Sequence, residues 1–480
     1  MHTDHTVTVE EAVQVLAMVG DLSMGQPTDQ SIRSAALAER LALQDGAAAG
    51  TCAHVRLVTL LRWSGCTANA SGFTDLLGDD VAGRDAMLTQ TLPPGTKMSF
   101  TSVAPLARIH CEVSGAIAEA MGLPVEVEVG LRRVWEHFDG GGIPERLTDA
   151  DIPRLVYYVN LASDLEILTR AHGLEEALRM IAARADRKYP GDLVRLQATH
   201  AAQWLEAVEA PPCPTALPVL GERVSLTIVA DMIELKLPWL LGYSRRVADL
   251  AERAAALAGL SPSQQQCLGR AALMHGIGRA AVPNAVWQRS GKLTTADWEK
   301  VRLVPYWTAR AGVQIPSLRA EATLASHVYE RLDGSGYHRD LEGDTLTLPQ
   351  RILAAASAYA ALCMPRPWRA ACDAGEAGRL LAAGVAAGRF CGSAVNAVVT
   401  AADGKGLDVA EPAAQRKRLL SERETSVLRR LSLGESNKEV ARELQISPST
   451  VRTHVESIFR KLECSTRTAA TLKGLTLGLI

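Results

Sequence analysis

Residues 421–473 constrain the fold most, because they contain start and stop signals for three successive helices. Each expected helix begins at a Ser or Asn that can accept a backbone N–H, and a glycine or short turn separates it from the next. The signals are Ser421 with Glu424, Gly434, Asn437, and Ser447 with Pro448. The apolar positions at helical spacing are Val427, Leu428, Leu431, Val440, Ala441, Leu444, Val451, Val455, Ile458, Phe459 and Leu462. This pattern predicts a three-helix unit with a tight turn before its third helix.

The exposed side of the third predicted helix carries short polar and basic side chains. Double-stranded DNA presents phosphates outside and hydrogen-bonding base edges in its major groove, so such a face can bind it. From Arg416 onward there are 13 Lys and Arg and 7 Asp and Glu residues, a net charge of +6, whereas the whole chain carries −2. The predicted DNA contacts are Lys438, Thr450, Arg452, Thr453, His454 and Lys461, with Lys438 and Thr453 on phosphates. We expect operator DNA as the partner; the alternative is a solvated three-helix bundle without a DNA role.

This segment resembles the C-terminal DNA-binding domain of LuxR/FixJ-type regulators. The resemblance lies in residues 420–424, 434–441, 447–455 and 461–462. It implies a recognition helix in the major groove and a fourth helix, at about residues 466–475, that mediates dimerisation. We therefore expect a transcriptional regulator that acts as a homodimer and works with RNA polymerase.

Most of the chain before residue 402 shows the 3.6-residue apolar period of helices, which predicts an all-α protein. Two segments break the pattern. Residues 210–218 contain four prolines, and residues 402–418 contain Gly404, Gly406 and Pro412 before a basic run. These segments divide the chain into predicted domains of residues 1–209, 219–401 and 419–480.

The nine cysteines include no Cys-x-x-Cys pair, which predicts buried free thiols in a reducing compartment rather than disulfides or zinc ligands. The N-terminus lacks a basic segment followed by an apolar stretch, so we expect no signal peptide. The longest charge-free helical run, residues 352–364, is too short to span a bilayer. We therefore expect a soluble cytoplasmic protein.

Residues 134–144 and 328–338 resemble each other, and a similar helical stretch follows each of them. Asp139 lies 24 positions before Ser163, and Asp333 lies 24 positions before Ser357. The equal spacing indicates an internal duplication at an offset of 194 residues. Both copies contain Asp-Gly-x-Gly. We interpret it as an architectural turn rather than a substrate contact, because glycine permits unusual backbone conformations and aspartate can cap a turn.

The repeated unit resembles the HD-GYP family of metal-dependent cyclic di-GMP phosphodiesterases. The match is strongest in the second copy, at residues 273–278, 282–284, 291–294 and 330–337. It covers most of residues 235–400 and is weaker for residues 25–205. The resemblance implies two HD-like helical domains in tandem. In the family, a cluster of His and Asp side chains holds two metal ions that activate water.

Most of the family's metal-ligand positions carry other residues in this chain. Of these positions, only His275 in the second copy and His110 in the first still carry a histidine. The full set of positions is Tyr243, His275, Gly276, Val304, Val328, Tyr329 and Ser357 in the second copy, and Gln30, Arg62, Trp63, His110, Val134, Trp135 and Ser163 in the first. One histidine per copy cannot hold two metal ions, and apolar neighbours make a buried cation costly. We therefore expect no metal, no cofactor and no catalytic residue, and interpret His275 and His110 as hydrogen-bonded core histidines. The alternative is a residual metal-dependent cyclic-dinucleotide phosphodiesterase fused to a DNA-binding domain.

Without metal ligands, two roles remain for the repeats. They can dimerise and space two DNA-binding domains, or they can receive an input from a small-molecule effector or a partner protein. The predicted effector pocket consists of Tyr243, His275, Tyr329 and Ser357, and its aromatic residues predict a largely apolar ligand. Cyclic di-GMP is disfavoured, because these positions offer no cation for its phosphates except a protonated His275 and, in the first copy, Arg62.

Overall fold

The computed structural model describes residues 5–96, 98–209, 222–339, 341–407, 420, 422–444, 446–462, 464 and 466–476. Contacts divide the chain into two units, residues 1–410 and 411–480. The described residues are mostly helical, with a single two-stranded antiparallel sheet, so the predicted all-α class is confirmed. The predicted boundary segment 210–218, most of segment 402–418 and the predicted cap Ser421 lie outside the described residues.

The larger unit consists of two helical segments, each preceded by a short strand. In the first helical segment, residues 5–209, the elements are β1 (Thr6–Thr8), α1 (Val9–Ser23), α2 (Gln30–Gln44), α3 (Ala49–Leu61), α4 (Ala70–Leu77), α5 (Ala82–Leu88), α6 (Phe100–Ala120), α7 (Val125–Arg132), α8 (Arg154–His172), α9 (Leu174–Ala182) and α10 (Gly191–Glu209). In the second helical segment, residues 222–407, they are β2 (Arg223–Ser225), α11 (Thr227–Leu235), α12 (Tyr243–Leu257), α13 (Pro262–Met274), α14 (Asn284–Trp287), α15 (Thr295–Arg302), α16 (Val304–Gln314), α17 (Arg319–Ala325), α18 (Leu348–Leu362), α19 (Ala374–Ala386) and α20 (Gly392–Asp403). Short 3-10 helices span Asp149–Asp151, Pro238–Leu240, Ile277–Ala281, Pro316–Leu318 and Gly343–Thr345.

The two helical segments pack on each other within one chain. Strand β1 pairs with β2, with Thr6 opposite Ser225. One continuous core of buried apolar side chains includes residues of both segments. The Lys236 ammonium lies 2.6 Å from the Asp80 carboxylate, and both side chains are buried. The sheet, the shared core and this ion pair join the two segments into one unit.

Both segments build their Asp-Gly-x-Gly loop in the same way. In each, a buried glutamate accepts hydrogen bonds from backbone N–H groups nine and eleven residues later, at 2.8 and 3.0 Å for Glu136 and at 2.8 and 3.1 Å for Glu330. Asp139 and Asp333 each accept a bond from the N–H two residues later, at 2.8 and 3.0 Å. A Cβ on the last glycine of each sequence would lie 2.3 or 2.4 Å from a backbone nitrogen. The predicted turn-capping role of the aspartates is confirmed, whereas the two glutamates were not anticipated.

The described residues of the smaller unit form four helices: α21 (Glu422–Ser432), α22 (Asn437–Glu443), α23 (Pro448–Lys461) and α24 (Arg467–Thr476). All the predicted apolar positions of this unit belong to its core. The turn at Gly434, with a φ of 86°, and the Ser447 cap of α23 are confirmed. The predicted cap Asn437 is wrong. Ser436 caps α22 instead, because Glu439 three residues later completes a reciprocal capping box with it.

The eight cysteines among the described residues are free thiols, as predicted. Within the described part of the chain, we find no helix with the combined length and apolar character that crossing a membrane requires.

Candidate functional site

Helix α23 carries five of the six residues predicted to contact DNA. Thr450, Arg452 and Thr453 are exposed, and His454 is half-buried. The Arg452 side chain is 77% exposed, and its Nε donates to the Glu456 carboxylate at 3.0 Å along the same helix. Because an exposed ion pair of this kind contributes little to stability, the guanidinium can exchange Glu456 for a base or a phosphate.

Lys461 occupies a different environment. Its Nζ donates to the carboxylate of Glu424 at 2.7 Å, and the Ser457 hydroxyl donates to the same carboxylate at 2.7 Å. Glu424 is buried on α21, so this contact fixes α23 against α21. Lys461 therefore helps to position α23, and its predicted DNA contact requires that it share its charge with Glu424. Lys438, on α22, is exposed.

In the second helical segment, the structure brings together the four residues of the predicted effector pocket. The Tyr243 hydroxyl lies 2.9 Å from the Ser357 hydroxyl and donates to the Ser357 carbonyl at 3.0 Å. The ring centres of Tyr243 and His275 are 5.4 Å apart. The Arg279 guanidinium joins these residues to Tyr329, since it donates to the His275 ring at 3.1 Å and to the Tyr329 hydroxyl at 2.8 Å.

Arg279 is a buried cation that lies among the four residues, although it does not stand at a metal-ligand position of the family pattern. The prediction considered only those positions and did not include it. His275 is not the cation, because burial lowers the pKa of its ring to about 3 and the charge of Arg279 opposes its protonation further. His275 Nδ1 donates to the Ala272 carbonyl, and Nε2 accepts from Arg279. The interpretation of His275 as a hydrogen-bonded core histidine is confirmed. The feature of the sequence that could have indicated this contact is Arg279 itself, four residues after the histidine.

In the first helical segment, Arg62 lies among the equivalent positions. Its guanidinium donates to the side chains of Gln30, Ser163 and Ser31, the last two at 3.1 and 3.2 Å. It also donates to a backbone carbonyl at 2.5 Å and lies 4.5 Å from the centre of the Trp63 ring. Gln30 and Ser163 stand at the first and last metal-ligand positions of the family pattern. In both segments, therefore, a guanidinium lies among these positions.

The residues present do not fit the metal ions that the HD-GYP resemblance implies. Among the described residues, no group of three or more His, Cys, Asp or Glu side chains is arranged to hold a metal ion. Arg62 and Arg279 are buried at these sites, and a divalent cation beside a buried guanidinium would meet like-charge repulsion at low effective dielectric.

A cavity of about 530 Å³ lies beside His110 in the first helical segment. Its lining includes Trp135, whose ring meets that of His110 edge to face at 5.6 Å. His110 is buried, and its Nδ1 lies 3.5 Å from the Cys66 thiol. Burial, together with the charge of Arg84, lowers the pKa of His110 to about 3, so the ring is neutral. The sequence pattern predicts an effector pocket in the second segment and gives no sign of this cavity, because the cavity lining comes from parts of the chain that are far apart in sequence.

Comparison with known families identifies two domains. Residues 227–390 match the HD domain family, and residues 418–473 match the luxR family of bacterial regulatory proteins. The chain is 49% identical over 53 residues to the putative HTH-type transcriptional regulator YhjB of Escherichia coli, which covers 11% of this chain and 26% of that protein.

The larger unit is similar to phosphodiesterases. The chain is 26% identical over 408 residues to the 3'3'-cGAMP-specific phosphodiesterase 3 of Vibrio cholerae, covering 76% of this chain and 89% of that protein. It is 31% identical over 152 residues to the cyclic di-GMP phosphodiesterase response regulator RpfG of Xanthomonas campestris, covering 31% of this chain and 40% of that one.

A crystal structure of a cyclic GMP-AMP specific phosphodiesterase of V. cholerae, V-cGAP3, superposes with a TM-score of 0.58 at 22% identity. The match covers 83% of this chain and 98% of that one, and it shows a shared fold. The chain therefore combines an HD domain with a C-terminal DNA-binding domain of the LuxR family of bacterial regulatory proteins.

Proposed function

We propose that this protein is a transcriptional regulator in which two HD-like repeats, residues 1–209 and 219–401, do not hydrolyse cyclic dinucleotides. They serve as a sensor, a dimerisation module or both, and residues 419–480 bind operator DNA. Lys438, Thr450, Arg452, Thr453, His454 and Lys461 are the proposed DNA contacts. The protein would act as a homodimer in the cytoplasm, with RNA polymerase as its partner at the promoter.

The observation that carries the proposal is the pair of buried guanidinium groups. Arg62 and Arg279 each make at least two hydrogen bonds to residues at the family's metal-ligand positions. A buried arginine is always charged, so each site already holds a fixed cation. The guanidinium therefore supplies positive charge where the family has a metal ion. Unlike a metal ion, it does not bind a water molecule, lower the pKa of that water and so produce a nucleophile.

The second candidate function is a residual cyclic-dinucleotide phosphodiesterase fused to a DNA-binding domain. The names of the V. cholerae and X. campestris relatives favour it. It would require metal ligands other than those of the family pattern.

We expect the purified full-length chain to release no linear dinucleotide from 3'3'-cGAMP or cyclic di-GMP above a protein-free blank, with Mn²⁺ or Fe²⁺ supplied. The reason is that neither site offers a metal-bound water. Product is measured by liquid chromatography, with the V. cholerae phosphodiesterase 3 as the positive control. Hydrolysis that scales with protein concentration, stops on chelation and disappears in a His275→Ala variant would contradict the proposal.

A further inference from the structure

The cavity beside His110 is large enough for a ligand. Its volume of about 530 Å³ lies within the range of roughly 300–1,000 Å³ found for small-molecule sites. Its apolar lining comes from α4, α5 and α6, from Met24 directly after α1, and from the loop around Trp135. The apolar residues that line it include Met24, Phe73, Met87, Leu88, Val103 and Trp135. An apolar or aromatic molecule would therefore bury most of its surface here.

Two ring nitrogens at the cavity have no partner among the described residues. They are Nε2 of His110 and Nε1 of Trp135. His110 is only 1% exposed, so water does not freely replace the missing bond. A buried polar group without a hydrogen bond costs about 1–3 kcal/mol. The Trp135 indole N–H can only donate, and it has no acceptor among the described residues.

The rest of the lining carries an excess of positive charge. Four cations, Arg84, Arg184, Arg187 and Lys188, line the cavity together with two carboxylates, Asp139 and Asp164. Asp164 already accepts hydrogen bonds from Lys188, at 2.7 Å, and from a tyrosine hydroxyl. Asp139 accepts a backbone N–H of its own loop. Arg187 is exposed at the rim, and its side chain makes no described contact. Arg84 already contacts Asn69 and Asp80, and Arg184 lies 3.8 Å from Asp164, so Arg187 is the cation through which the lining favours an anion.

We propose that this cavity binds a small molecule in which a flat, apolar aromatic body is joined to an anionic group, and that it is the input site of the regulator. The aromatic body would pack on Trp135 and Phe73, and the anion would face Arg187. The input role rests on the proposed function, whereas binding itself does not.

The probe for this site is 8-anilinonaphthalene-1-sulfonate, an aromatic anion whose fluorescence rises in apolar surroundings. We expect the full-length protein to bind it saturably. Arg187→Glu should raise the Kd about fivefold or more, the equivalent of about 1 kcal/mol for an exposed charge. Val103→Trp, which places a larger side chain on the half-buried α6 lining, should abolish the signal. The control is Arg389→Glu, an exposed arginine in the equivalent turn of the second segment and outside the cavity, which should leave the Kd unchanged.

Equal probe affinity in the wild type, Arg187→Glu and Val103→Trp would overturn the proposal, provided that the three proteins have matching circular dichroism spectra.

Competition then identifies the source of the ligand chemistry. Displacement by AMP indicates a nucleotide, and displacement by 2-aminobenzoate indicates an aromatic carboxylate. Displacement by neither anion would overturn the anionic part of the proposal. The two proposals can fail separately. If the variants change probe binding as expected but the protein hydrolyses a cyclic dinucleotide, the proposed function is wrong and the ligand site is supported.

Discussion

Replacing Asp80 by Asn is expected to lower the free energy of unfolding of the larger unit by about 3–5 kcal/mol, the usual cost of removing one partner from a buried ion pair. Asp80 is fully buried and accepts the Lys236 ammonium at 2.6 Å and the backbone N–H of Asn284 at 2.7 Å. The substitution removes the negative charge and leaves the Lys236 ammonium buried beside Arg84. Urea unfolding followed by circular dichroism measures the loss.

The matched control is Asp249→Asn. Asp249 forms an exposed pair with Arg253 at 3.2 Å on α12, so its loss should cost less than about 1 kcal/mol. A loss of similar size in the two variants would show that the Asp80 ion pair does not hold the two helical segments together.

The same ion pair gives the stability a dependence on pH. Burial raises the pKa of Asp80, but the Lys236 ammonium and the hydrogen bonds outweigh it and hold the pKa below its ordinary value. The contribution of Asp80 to stability is therefore present at neutral pH. It is lost as the pH falls below about 4, where the unfolded chain takes up the proton first.

Replacing Arg452 by Ala is expected to weaken binding to operator DNA by about tenfold to a hundredfold, the effect of losing a base contact worth about 1–3 kcal/mol. The substitution removes an exposed guanidinium from α23 and leaves the buried face of that helix intact. The operator is selected from random duplexes with the wild-type protein. Fluorescence anisotropy at a fixed salt concentration then gives the two Kd values.

Arg253→Ala is the control for this prediction. Arg253 also pairs with an acidic residue four positions away on an exposed helix, at 3.2 Å against 3.0 Å for Arg452. The two variants lose the same charge from similar surroundings, but Arg253 lies in the larger unit. If both variants bound DNA as tightly as the wild type, α23 would not be the recognition helix.

The smaller unit could be predicted almost completely, because its fold depends on local signals. Ser447 and Gly434 act within a few residues of their own positions, and the apolar period alone selects the buried face. The one error, Asn437 for Ser436, arose where two adjacent residues can both cap a helix and the position of Glu439 decides.

The larger unit could be predicted only in outline. The predicted repeat and the residues at the family's metal-ligand positions can be read from residue types at fixed spacing. The contact between Asp80 and Lys236, 156 positions apart, leaves no such pattern. The role of Arg279 was missed because it is not a position of the family motif, and the cavity beside His110 depends on how α1, α5 and α6 pack.

Metal analysis of the purified full-length protein tests the central claim most directly. The chain is expressed with iron and manganese supplied, purified without chelators and measured by mass spectrometry of the elements. Because Arg62 and Arg279 occupy both sites, we expect far less than one iron or manganese ion per chain. One or two ions per chain, lost on substitution of His275 or His110, would contradict the account.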